Sequence, residues 1–259
     1  MSDLVLYVVR ARTAILTLSR PDRANTITAE LVEALQAAVE TAVADPEVRV
    51  IVVTGAGRHF CGGADLREAG PDALDRLLRH PRGIGLDWAP KPVIAAINGA
   101  AMGGGCEIAL SCDFRLMAET AKIGLTEIRF GALPAGGGCI RAPRLIGAQA
   151  ARRMIMLGEP LSAQEAQRIG LVDEICPADA LMERVFALAD ILASRAPYAM
   201  RTAKQLLAIS QETDLATGLA LERALIGRMA TPEEMQAARD EAATASATYA
   251  KIFSGGSEN

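Results

Sequence analysis

The stretch Lys91–Asp113, KPVIAAINGAAMGGGCEIALSCD, decides how the rest of the chain is read. It opens with an apolar run, Val93–Ile97, and breaks at Asn98-Gly99. It then passes three consecutive glycines, Gly103, Gly104 and Gly105, and enters CEIALSC. The pattern is a strand, a tight turn and the start of a buried helix. Glu107 sits inside the last apolar run, where an ionised carboxylate is costly unless something pairs with it or uses it. Glycines let a ligand approach the main chain, and a helix opening on them presents unpaired N–H groups. Together these describe an oxyanion-binding turn beside an acid/base. The same residues also fit a tight turn whose glutamate reaches solvent.

The layout occurs a second time just upstream. Val48–Val53 is an apolar run broken only by Arg49; Gly55-Ala56-Gly57 turns; and Phe60-Cys61-Gly62-Gly63-Ala64-Asp65 is a second glycine segment ending in an acid. Before it, Leu4–Val9 and Thr13–Leu18 read as a β-hairpin. Thr28 caps a helix carrying Leu31, Leu35 and Val39, stopped at Asp45-Pro46. Residues 66–90 read as a helix within loops. After the central stretch come a strand at Phe114–Ala118 and an extended or irregular segment, Lys122–Phe130, carrying Glu127. A loop at Gly131–Gly138 and a helix at Ala148–Met156 follow. Ser162 and Glu165 form a capping box, Gly170 ends that helix, and Val172–Ile175 is a short strand. No strand pattern follows Pro177. Leu181, Val185, Leu188 and Leu192 keep helical spacing, and Pro197 and Pro232 punctuate two further helical stretches. The expected architecture is an α/β core over residues 1–178 with a helical C-terminal region over 179–259.

Composition narrows the function classes. The 259 residues suffice for one sizeable core, with or without a smaller appendage. An apolar fraction of 51%, a charged fraction of 22% and a net charge of −4 fit an ordinary globular protein and argue against nucleic-acid binding. Five cysteines without a Cys-x-x-Cys pair argue against a disulfide framework, and with two isolated histidines they offer no zinc site. Reduced thiols and the absence of a signal peptide or a membrane-length apolar run point to a cytoplasmic protein. There is no Walker A loop, no G-x-S-x-G elbow and no G-x-G-x-x-G following a strand. Two glycine turns and two carboxylates in apolar company, Glu107 and Glu127, remain. Two backbone donors can hold a carbonyl oxygen as it gains charge while two carboxyls move protons beside it, which suits chemistry next to a thioester carbonyl.

The segments LSRPDRANTIT, VIVVTGAGRHFCGGADL, KPVIAAINGAAMGGGCEIALSCDFRLMAETAKIGLTEIRFGALPAGGG and GEPLSAQEAQRIGLVDEICP resemble those of the crotonase superfamily, the enoyl-CoA hydratase/isomerase group, in order and spacing. The resemblance implies a spiral of ββα units with a helical C-terminal trimerisation region, assembled as a homotrimer or homohexamer. It implies an acyl-CoA thioester substrate, with coenzyme A as part of that substrate, and no separate cofactor or metal. Ala64 and Gly104 match the two oxyanion-hole N–H donors. Glu107 matches the glutamate that holds and activates water, and Glu127 the one that exchanges a proton with the α-carbon. Ala135 matches a position whose N–H lies near the catalytic water. Arg23, Ala24, Gly62, Asp65, Leu66 and Arg67 fall where relatives line the CoA site. Retention of both glutamates favours hydration of a 2-enoyl-CoA, or its reverse. The alternatives are double-bond isomerisation and a non-catalytic acyl-CoA-binding paralogue.

The chain departs from the family pattern in several places. Gly62 stands where alanine is usual, Thr126 where proline is frequent, Ala135 for glycine, and Cys139-Ile140 for Thr-Gln. AATASATYAKIF replaces a basic ending. Of the remaining polar and aromatic residues, His59 reads as a loop residue near the opening of the CoA site. Cys61, Cys106 and Cys112 read as core fillers, Trp88 as an acyl-pocket or packing residue, and Asp65 as a turn cap whose main chain, not its carboxylate, lies near ligand.

Overall fold

The structure is a computed structural model and describes residues 3–65, 83–226 and 230–240. Two sheets form its centre. The larger has six strands in the order β1 (Val5–Arg10), β2 (Thr13–Leu18), β3 (Val50–Gly55), β5 (Val93–Ile97), β7 (Phe114–Ala118) and β10 (Glu174–Cys176). The smaller runs β4 (His59–Cys61), β6 (Ala100–Met102), β8 (Lys122–Gly124) and β9 (Leu161–Ser162). β1 and β2 pair antiparallel from Val5↔Leu18 to Arg10↔Thr13, and the other strands of the large sheet are parallel.

Each of three successive strand pairs puts its first strand in the large sheet and its second in the small one: β3 then β4, β5 then β6, β7 then β8. The chain therefore winds as a spiral, and the doubled layout in the sequence is two of its turns. Gly55 and Gly99 sit where the winding is tightest. A Cβ on either would overlap the backbone carbonyl of His59 or Arg58, respectively. The third pair, β7–β8, turns through Glu119-Thr120 and lacks the glycine signature, so its kinship is invisible in sequence.

β3 and β5 are buried at every position, as continuous β-branched and apolar runs dictate for strands covered on both faces. Helix α1 (Ala29–Ala44) starts where Thr28 accepts from the Leu31 N–H, and lays Leu31, Leu35 and Val39 on the core. Asp45 ends it in extended conformation. Helix α2 (Gly104–Leu110) is buried throughout and begins two residues before Cys106, the expected start. Helix α3 (Gly138–Leu157) starts ten residues before the expected Ala148 and bends at Gly147. Its first half, rich in Arg and Pro and burying only Gly138 and Ala142, has no apolar periodicity to read. Helix α4 (Ala163–Arg168) opens on the capping box, with Ser162 and Glu165 exchanging hydrogen bonds.

β10 begins two residues after the expected Val172. His59 opens strand β4 and is not in a loop, a correction that a three-residue strand between glycines makes understandable. Trp88 donates to Gln36 Oε1 at 2.9 Å and packs against the core outside the cavity described below. The expected helix within residues 66–90 falls largely on residues outside the described ones.

After Cys176 the described residues hold only helices and turns. Helix α5 (Leu181–Ala193) still belongs to the core, with Leu181, Val185 and Ala189 buried against the large sheet. Helices α6 (Pro197–Ser210) and α7 (Leu215–Ile226) bury no residue and expose Leu207, Leu215 and Ile226. Among the described residues no helix is long and apolar enough to cross a membrane.

Candidate active site

The first wall is built by the turn at residues 20–26. Ala24 and Asn25 both adopt the left-handed conformation, which is costly for residues other than glycine and least so for Asn. Asn25 holds it in place: fully buried, it accepts from Arg20 N–H and donates to the carbonyls of Ala56 and His59. From there Ile27 forms a parallel bridge with Ala64. That bridge uses the Gly63 carbonyl and the Asp65 N–H, at 2.8 and 3.0 Å. The Ala64 N–H is the group it leaves out, and it has no protein partner among the described residues. The Asp65 carboxylate turns the other way, onto Thr26 Oγ1 (2.9 Å) and Arg20 (3.3 Å). It fastens the segment, and its side chain does not line the cavity.

The second wall is the start of α2. Gly103 takes φ 52° and ψ −122°, a conformation closed to side-chain-bearing residues. It ties its N–H to the Gly124 carbonyl at 2.8 Å. Gly104 is then the first helical residue, with an N–H that has no intrahelical acceptor. The two free donors are neighbours: a Cβ on Gly104 would lie 3.9 Å from the Ala64 nitrogen.

Glu107, one turn into α2, is 3% exposed. Its Oε1 accepts from the Gly138 N–H at 2.8 Å. Burial pushes its carboxyl up to about 7; the Gly138 and Gly136 N–H groups and Arg141 pull it down, and the Glu127 charge adds to the rise. Glu127 comes from the short 3₁₀ turn Glu127–Phe130 after β8. Its Oε2 is buried without a hydrogen-bond partner, and burial raises its pKa as well. Its Oε1 lies 3.1 Å from where a Cβ on Gly103 would stand. Glu127 therefore flanks the Gly103 turn, whereas the Glu107 carboxyl lies against the 136–138 turn.

Ala64, Gly104, Glu107, Glu127, Gly62 and Ala135 line one cavity of about 440 Å³. Ile27, Ile84, Phe130 and Leu133 give it apolar walls, and Arg141 lines it too. Ala24 stands just behind, its carbonyl accepting from the Gly62 N–H at 2.8 Å. Arg23 lies on the exposed turn Pro21–Arg23, outside the cavity lining. Leu66 and Arg67 lie outside the described residues. A second cavity, of about 510 Å³, lies between Val43–Arg49, Pro90–Pro92 and Leu192–Arg201, and among the described residues no carboxyl group lines it. Cys61, Cys106 and Cys112 are buried thiols whose pKa values burial raises, to about 12 for Cys61 and Cys112, so they are protonated filler. Among the described residues no cluster of three or more His, Cys, Asp or Glu is placed to hold a metal ion.

Chemically, the cavity pairs two convergent N–H donors with two carboxyls whose pKa values burial raises. That combination suits a substrate whose carbonyl oxygen gains charge while protons move at adjacent carbons. Comparison with known proteins agrees. The family model described as Enoyl-CoA hydratase/isomerase matches residues 10–246. The chain belongs to the enoyl-CoA hydratase/isomerase family. It is 40% identical over 237 residues to the 2,3-dehydroadipyl-CoA hydratase of Escherichia coli, covering 90% of this chain and 92% of that protein. It is 33% identical to the short-chain-enoyl-CoA hydratase of Clostridium acetobutylicum, over 90% of this chain and 91% of that one. The crystal structure of an enoyl-CoA hydratase from Bacillus anthracis superposes with a TM-score of 0.82 at 38% identity, over 86% of this chain and 90% of that one. The fold is thus that of the enoyl-CoA hydratase/isomerase family, whose substrates are acyl-CoA thioesters.

Sequence reasoning missed Asn25 and Arg141. Asn25 could have been found as one of two residues of PDRANT, with Asp22, that tolerate a left-handed turn. Arg141, inside IRAPR, carries no signal that separates it from a surface charge.

Proposed function

We propose that this family member is a hydratase, adding water across the C2–C3 double bond of an enoyl-CoA or removing it in reverse. The observation that carries the reading is the meeting of two buried carboxyls and two unpaired N–H groups in one cavity. The thioester oxygen sits between the Ala64 and Gly104 N–H groups, which hold the charge it gains as the enolate forms. Glu107, anchored by Gly138, orients water over C3 and takes its proton as the C3–O bond forms. Glu127 enters the step protonated and gives its proton to C2, with its unpartnered Oε2 free to reach the substrate. One proton is taken and one given, so the pair ends with the charge it began with, and the two acids titrate together.

The CoA portion runs past Gly62, Ala24 and Ala135, with Arg23 near its phosphates and the Asp65 main chain near the pantetheine. The apolar walls take the acyl group. The exposed leucines of α6 and α7 meet other copies of the chain, giving a trimer or hexamer; light scattering that finds a monomer at micromolar concentration overturns this part.

Turnover tests the main reading. Loss of conjugated enoyl absorbance across a series of 2-enoyl-CoA chain lengths supports hydration. A rise in that absorbance from a 3-enoyl-CoA points to isomerisation, and binding without turnover points to an acyl-CoA-binding protein.

A further inference from the structure

Arg141 has no part in the chemistry above, yet it is held more elaborately than a surface charge needs. It stands near the start of α3 and lines the cavity. Its Nε and Nη2 donate to Asp87 Oδ2 at 3.1 and 2.7 Å, and its Nη1 donates to the Gly136 carbonyl at 2.8 Å. A Cβ on Gly85 would lie 2.7 Å from Nη2, and one on Gly137 would overlap Nη1. The guanidinium therefore threads a slot between two glycines and is pinned at both ends.

What it joins matters more than what it stabilises. Arg141 is 25% exposed and Asp87 54%, and ion pairs this wet add little to folding. One end of the clasp braces the 136–138 turn, whose Gly138 N–H holds Glu107 Oε1. The other end ties down residues 83–87, which carry Ile84 of the cavity wall. A lysine would bring the charge but not the two-ended fork.

We propose that Arg141 is a positioning residue, which through Gly136 fixes the turn that holds the Glu107 carboxylate and through Asp87 anchors the 83–87 wall of the acyl cavity. The effect on turnover rests on the hydratase reading of Glu107, whereas the effect on Glu107 itself does not.

Electrostatics run the same way. The groups facing Glu107 are Glu127 from the 127–130 turn, the thiols of Cys106 on α2 and Cys139 on α3, and Arg141 from α3, with Asp87 behind Arg141. Arg141 is the cation of this set, so it opposes the rise that burial imposes on Glu107.

The test uses the full-length protein and two readouts: kcat and KM against pH on an enoyl-CoA, and ¹³C NMR titration of the Glu107 carboxyl in the free enzyme. Arg141→Gln is expected to lower kcat on the order of 10–100-fold, by more than it raises KM. It should also move the Glu107 titration and the acid limb of kcat/KM to higher pH. Arg141→Lys keeps the charge but not the fork, so its titration should shift less than that of Arg141→Gln while kcat still falls. The proposal is overturned if folded Arg141→Gln leaves the Glu107 titration unmoved, or if Arg141→Lys retains wild-type kcat. Should Arg141→Gln fail to fold, Arg141→Lys and Asp87→Asn decide: wild-type kcat in both overturns the proposal, and a fall in both supports it. Should the wild type hydrate no enoyl-CoA, the hydratase reading fails, and the NMR titration still decides whether Arg141 governs Glu107.

Discussion

Helix α2 and the turn after β8 each deliver one carboxyl to the same cavity, but they hold it in different ways. Glu107 rides on a fully buried helix and is clamped by the Gly138 N–H. Glu127 rides on a four-residue 3₁₀ turn and leaves Oε2 buried without a partner. A clamped carboxylate suits a group that must orient water. A buried oxygen without a partner is costly, and that cost is tolerable where a proton must pass between this group and a substrate carbon. Under the proposed mechanism the contrast divides the labour between the two carboxyls.

The comparison breaks most visibly at Glu127. Glu127→Gln keeps the shape and removes the transferable proton, so kcat should fall by ~10²–10⁴. KM should move far less, because the backbone donors still hold the thioester; steady-state kinetics on an enoyl-CoA reads both.

A smaller loss is expected from disturbing the clamp on Glu107. A Cβ on Gly136 would stand 2.6 Å from Glu107 Oε2 and 2.5 Å from Ile84 Cδ1. Gly136→Ala must displace the carboxylate, costing on the order of 10² in kcat. Gly138→Ala meets Pro134 Cβ at 2.7 Å, Leu125 Cδ2 at 2.9 Å and Glu107 Oε1 at 3.0 Å, so it disturbs the clamp through its packing as well. Its loss of kcat should be of the same order, and kcat measured for the two alanine variants checks both.

The pH dependence sharpens the same contrast. In the mechanism above Glu107 works ionised, and burial holds its pKa at about 7. The log of kcat/KM should therefore fall as pH drops through about 7, near a slope of one. A profile flat down to the ordinary glutamate range would mean Glu107 does not act as the base.

The smallest effect is on stability and has the opposite sign. Glu107 rises from its ordinary 4.5 to about 7 on folding, so between those values the folded state binds more protons than the unfolded one. The cost of burying the charge is absent below the lower value and complete above the upper one. Glu107→Gln removes that cost while keeping an oxygen for the Gly138 N–H. It should gain on the order of 3 kcal/mol near pH 8, with the gain disappearing near pH 4. Thermal melts at the two pH values check it.

The large sheet was legible because β3, β5 and β7 are apolar runs long enough to be read as strands, and the capping residues Thr28 and Ser162 mark their helices chemically. The small sheet was not, because β4 and β6 are three residues each and sit between glycines that look like loop. At the site, the glycine turns and the two acids stood out by being wrong for their surroundings: carboxylates in apolar runs, and glycines in a helix start. What escaped was whatever the fold alone makes unusual. Asn25 looks like any loop asparagine until the turn at residues 20–26 closes on β4. Arg141 looks like any helix arginine until Asp87, far away in sequence, comes to meet it. Asp65 was read correctly as a cap whose carboxylate turns away from the cavity, but its partners Arg20 and Thr26, in another turn, were not readable.

The central claim is that the two carboxyls act as one unit, and a double-mutant cycle tests it most directly. kcat would be measured for the wild type, Glu107→Gln, Glu127→Gln and the double variant on the enoyl-CoA turned over fastest, with folding checked by circular dichroism. The expected result is a loss of ~10² or more in each single variant and little further loss in the double, because groups that work in one step lose most of their effect together. Folded single variants that keep near-wild-type hydration, or losses that simply multiply in the double, would contradict the account.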